Sequence, residues 1–222
     1  NNTAVGYFAG SLTTTGKNNT YIGGLAGDDC IDGNRNTAVG AYALSADHGD
    51  NNTAVGYSAG IGLGSGADQN TFVGSECGDA TDDGEYNSAL GYQALSANCG
   101  DENTAMGRMA GVLITGSENT CLGDGAGATI TSGSQNVCLG HDAGVNQIST
   151  SSNLLYIART GAAAGNDQCW IHGTDTGTCI NGDNSTAWAQ TSDRRIKKNI
   201  TDSSVGLTEI NKLKIRNFEY RT

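Results

Sequence analysis

Seven cysteines, three histidines and 23 acids are the side chains of this 222-residue chain that could hold a metal or attack a bond. Their spacing argues against most of that chemistry. Cys30, Cys77, Cys99, Cys121, Cys138, Cys169 and Cys179 form no C-x-x-C pair and keep no zinc-like spacing to a histidine. An odd number without a dense framework reads as mostly free thiols, compatible with assembly in a reducing compartment. Cys169 and Cys179 are the pair expected to bridge under oxidation. His48, His141 and His172 stand singly, as exposed loop histidines do. No D-x-D-x-D-G or G-G-x-G-x-D calcium pattern occurs, so neither metal nor cofactor is expected. One segment crowds a hydroxyl among amines: Ser192-Asp193-Arg194-Arg195-Ile196-Lys197-Lys198-Asn199-Ile200. A serine is a poor nucleophile until a base takes its proton. A lysine is such a base only when burial or neighbouring cations lower its pKa, and Arg194, Arg195 and Lys198 are such cations.

What must position these residues is a repeat. Asn-Thr-x-aliphatic-Gly begins at Asn2, Asn19, Asn36, Asn52, Asn70, Asn87, Asn103, Asn119 and Asn136, every 16–18 residues, and a degenerate tenth copy begins at Asn153. With Asn as offset zero, Gly holds offset four in all nine copies, and offset seven is Ala except at Cys77. A second Gly falls at offset 13 or 14 from Gly16 to Gly133. This period with two Gly corners predicts an all-β fold, a parallel β-solenoid or β-roll of about nine turns. Asn stacked at one corner predicts an amide ladder. Offsets one and three share a face and offset two takes the other. The constant aliphatic at offset three is expected to point inward, with the Thr row of offset one. Offset two, running from Ala4 and Tyr21 through Phe72 to Cys121 and Cys138, is then expected outward. An apolar outward stripe needs covering. The simplest cover is two further copies about a three-fold axis; a loop over a single solenoid is the alternative. A solvent-facing Thr row would suit ice binding, but offset one is expected inside.

Composition agrees with a thin layered structure: 34 Gly, no Pro, three Phe and two Trp leave little for one large core. No apolar run is long enough to cross a membrane, and neither a membrane span nor an export signal of its own is expected. Residues 1–152 hold 16 acids against Lys17, Arg35 and Arg108, a net −13, whereas residues 153–222 hold seven acids against nine bases. The acidic shaft excludes nucleic acid as a partner. Of the 14 acids up to Glu118, 13 lie at offsets 9–16, in the expected far strand and its corner. A solvated edge that blocks sideways pairing accounts for them; calcium or host-glycan binding is the functional alternative.

Asn-Thr-Ala-Val-Gly-Tyr-x-Ala-Gly, at residues 2–10 and 52–60, resembles repeats of phage and virus tail fibres and is similar to the head repeats of trimeric autotransporter adhesins. The likeness covers residues 1–158 and implies a homotrimeric fibre. Residues 159–191 read as a β-rich cap or neck. Residues 192–222 resemble the opening of the intramolecular chaperone auto-processing domain of endosialidases and phage fibres. The following residues fit an amphipathic helix (Leu207, Ile210, Leu213) and a strand (Phe218, Tyr220), a short α+β segment. That resemblance implies single-turnover self-cleavage between Thr191 and Ser192, with Ser192 as nucleophile and Lys197 as its base. No turnover of an external substrate is expected. The implied function is a structural and adhesive segment of a tail fibre or spike. It would belong to a virion or an extracellular surface and meet a host glycan or protein. A bacterial trimeric surface adhesin with the same modules is the alternative.

Overall fold

The computed structural model describes residues 1–145 and 149–157. Each turn of the chain contributes one three-residue strand: β1 Thr3–Val5, β2 Thr20–Ile22, β3 Thr37–Val39, β4 Thr53–Val55, β5 Thr71–Val73, β6 Ser88–Leu90, β7 Thr104–Met106, β8 Thr120–Leu122, β9 Val137–Leu139 and β10 Leu155–Ile157. They stack in sequence order as a single parallel sheet. The register pairs equal offsets, for example Ala4 with Tyr21 and Cys121 with Cys138. The fold is therefore an all-β parallel β-solenoid, as the repeat predicts. No second strand forms at offsets 9–16 among the described residues; turns carry the chain back there. The tenth turn is also set one residue later than the motif suggests. Leu155 pairs with Val137, so Leu154 and not Asn153 occupies offset zero.

The strand faces are the reverse of the sequence expectation. Offset two points inward: Tyr21, Ala38, Ala54, Phe72, Ala105, Cys121 and Cys138 are fully buried. Offset three points outward, and Val5, Ile22, Leu90 and Met106 are 40–57% exposed. The physical reason is volume. The interior is too narrow for a large side chain at every position, so each layer holds few. Where offset two is large, as at Tyr21 and Phe72, offset eight is Gly27 or Gly78, and a methyl there would strike the ring. Where offset two is Ala38 or Ala89, offset eight is the buried Leu44 or Leu95. Where both are small, offset eleven supplies Leu63, Ile114 or Ile130. Alanines at offset seven, Ala26 to Ala143, fill the remaining space.

The glycine at offset four is fixed by close approach. Gly6, Gly23, Gly40, Gly56 and their successors have φ of 120–143°, and a Cβ on Gly74 would meet the carbonyl of Gly91 in the next turn.

Candidate functional site: two polar ladders and an uncharged sheet face

The asparagines form the ladder expected of them, and from Asn19 to Asn136 they are buried. From Asn2 to Asn136, each Oδ1 accepts the backbone N–H of offset zero in the following turn, at 2.7–3.1 Å, ending on the N–H of Leu154. Asn70 Nδ2 donates to Gly84 O at 2.8 Å, and Asn36 Nδ2 to Gly49 O at 2.8 Å, tying the start of those turns to their ends, whereas the buried Asn87 Nδ2 makes no such bond. One side chain thus satisfies two main-chain groups that a turn leaves unpaired.

A second ladder runs two residues before each Asn and was not foreseen. Here the later turn caps the earlier one. Asn34 N–H donates to Asp50 Oδ1 (2.8 Å), Asp50 N–H to Asp68 Oδ1 (2.6 Å), Glu85 N–H to Asp101 Oδ1 (2.9 Å), and Asp101 N–H to Ser117 Oγ (3.0 Å). Ser117 and Ser134 continue the series to Ser152. The signal was present as Asn, Asp or Ser at most of these positions. It is hidden by the run of charge around it. Several acids of the edge are therefore backbone acceptors. Asp50, although partial burial opposes its charge, is held below the usual carboxylate range by Asn34 and Arg35. Arg35 and Arg108 each reach an acid of the next turn, Asp50 and Asp124, at 2.8 Å.

His48 is buried, contrary to the expectation of a loop histidine. Its Nε2 lies 3.3 Å from Tyr21 Oη and its Nδ1 2.8 Å from the Ala46 carbonyl. Burial lowers its pKa, against weaker pulls from Ala46 and Asp47. Burial and Cys30 together push the Tyr21 hydroxyl up. His141 is half exposed beside Asp142. Cys30, Cys77, Cys99, Cys121 and Cys138 are buried free thiols. Burial pushes Cys77 up to about 12 and Cys99 up to about 11, so neither is a nucleophile near neutral pH. Among the described residues no group of His, Cys, Asp or Glu is arranged to hold a metal ion, and no helix is long and apolar enough to cross a membrane.

The outward sheet face carries Thr or Ser at offset one from Thr3 to Thr120, and an aliphatic or Met at offset three in every turn. None of the ten offset-three side chains is buried, and no charged residue occurs in any strand. A shallow depression lies between Val73, Leu90 and Met106. Exposed aromatics flank this face at the next corner, Tyr7, Tyr42, Tyr57 and Tyr92. Ser192, Lys197, the Thr191–Ser192 bond, Cys169, Cys179 and His172 all lie outside the described residues, as do the segments 159–191 and 192–222. No protein-family model matches the chain, and neither a curated protein nor a solved structure does.

Proposed function

We propose that this chain is a structural and adhesive fibre segment of a phage or viral tail fibre or spike, working as a homotrimer that meets a host-surface glycan or protein. Its C-terminal residues then belong to a self-cleaving chaperone, with Ser192 and Lys197 as the dyad. The observation that carries the reading is the uncharged outward face, with an aliphatic residue or Met at offset three in all ten turns. Ten parallel strands give a face about 43 Å long, and at roughly 10 Å width this is about 400 Å², within the size of patch that is often functional. A two-fold dimer on that face alone would bury about half of a standard interface per partner. Three copies around an axis also bury the flanks, where Thr lies on one side and the Tyr corner on the other. This replaces offset two, which the core has claimed, as the reason for the trimer.

Light scattering tests it: the mass should be near three times 22.6 kDa, and Leu90→Lys with Met106→Lys should yield folded monomer. A wild type that is monomeric at every concentration ends the trimer reading. For the dyad, protein expressed from the full-length gene should give a fragment beginning at Ser192, and Ser192→Ala should stay whole.

A second reading follows from the Thr row, which faces solvent rather than the core. A regular row of hydroxyls beside aliphatics is a surface that can order water. Ice binding needs the face free, so it is tested only if the wild type is a monomer, by the gap between its freezing and melting points.

A further inference from the structure

We infer that Cys121 and Cys138 are a redox-modifiable pair that closes into a disulfide between the eighth and ninth turns when the fibre meets an oxidising environment. The inference rests on the solenoid alone and not on the trimer. The two residues are direct register partners on β8 and β9, and both side chains point into the core, fully buried. In-register parallel strands stand about 4.8 Å apart, inside the range of Cα separations a disulfide spans, about 4.4–6.8 Å. Each thiol acts on the other, which pushes Cys121 up and Cys138 down. Gly127 leaves space beside the Cys121 sulfur, since a methyl there would collide with it.

The position has a structural use. Asn136 is the last asparagine of the inner ladder, and Leu154 takes the next place with no side-chain acceptor to offer. The register of the final turns therefore rests on fewer side-chain bonds, and a covalent link one turn earlier would fix it. No other described cysteine has a cysteine as its strand partner.

The oxidant is a small-molecule disulfide. One protein thiolate attacks a sulfur of it and releases a thiolate. The second protein thiolate then attacks the protein sulfur of the mixed disulfide and releases the other. The protein pair loses two electrons and two protons, and the reagent leaves as two thiols. Because both sulfurs are buried, exchange takes place during folding or local opening.

The test is refolding of the whole chain in a glutathione redox buffer, followed by alkylation under denaturing conditions and trypsin. Cleavage after Arg108 and Arg159 puts both cysteines in the fragment Met109–Arg159. The wild-type fragment should carry no alkyl group and be lighter by two hydrogens, and after reduction it should carry two. The same oxidation should raise the Tm by several degrees, as closing a loop of this size does, and Cys121→Ser should show no such rise. A wild-type fragment alkylated twice overturns the inference, whether or not Cys169 and Cys179 have paired instead.

Discussion

At the scale of single residues, His48 makes stability depend on pH below the ordinary histidine value. Its folded-state pKa is lowered by burial, so below the unfolded value of about 6.5 the unfolded chain binds a proton the folded chain refuses. Stability is therefore full above that value, falls as pH drops through it, and levels off beneath the folded pKa. The groups that act on the imidazole are the Tyr21 hydroxyl, backbone groups of Ala46 and Leu44, and the charge of Asp47, which alone opposes the effect by charge. Asp50 acts lower: its depressed pKa contributes stability above the usual carboxylate value that is lost as pH falls beneath it. Urea midpoints measured from pH 8 to 5 should decline for the wild type, and His48→Gln should flatten that decline. Equal slopes for the two proteins would rule out His48 as the cause. The Asn ladder gives a second residue-scale expectation. Asn70→Ala strands the buried N–H of Asn87 and the carbonyl of Gly84. Leaving those two groups unpaired costs about 2–4 kcal/mol in total, to be read from equilibrium unfolding. Asn1→Ala, at an exposed position, should change nothing measurable.

At the scale of the turn, the second to eighth turns each bury one large apolar side chain at offset two, eight or eleven, and the turn of Leu44 adds the buried His48 at offset twelve. Phe72→Ala empties its layer and should cost about 3–5 kcal/mol. Adding Gly78→Leu rebuilds the arrangement of Ala38 with Leu44 and Ala89 with Leu95. The double variant should therefore be more stable than the single one, even though Leu must accept a positive φ there, as Leu44 and Leu95 do. A double variant worse than the single would show that the layers are not interchangeable. The same packing explains what the sequence did and did not disclose. Nine copies of Asn-Thr-x-aliphatic-Gly settle the turn count and the parallel stacking, because a strict period admits little else. They do not settle which face is inside, because hydrophobicity alone ranks Val and Leu above Ala as core residues. The narrow interior ranks by volume, and the pairing of Tyr21 with Gly27 and Phe72 with Gly78 is a signal visible only when offsets two and eight are compared. His48 was missed for a related reason: nothing in its own neighbours marks it as buried, since its partner Tyr21 lies in the preceding turn. The candidate dyad, Ser192 and Lys197, rests on resemblance alone.

At the scale of the whole molecule, charge and stacking compete. Residues 1–152 carry a net −13, and the second ladder places Asp50 and Asp68 at equivalent positions of adjacent turns, Asp50 N–H bonded to Asp68 Oδ1. Successive turns lie about 4.8 Å apart, less than the screening length of about 10 Å at 0.1 M salt. Neighbouring carboxylates therefore repel through the stack, and association of copies brings more of them near one another. Backbone bonds hold several of these acids in place, so they cannot swing apart to relieve the repulsion. The expected result is a Tm that rises as NaCl is raised from low to near-physiological concentration, the reverse of a fold held by surface ion pairs. A Tm that falls with salt would instead give the leading part to Arg35–Asp50 and Arg108–Asp124. Calcium distinguishes screening from binding. At constant ionic strength, replacing part of the sodium by calcium should leave the Tm nearly unchanged if the acids form a solvated edge. A rise of many degrees at micromolar calcium would mean that the edge binds the ion, and the acids would then be a functional feature of the solenoid as well as caps on its backbone.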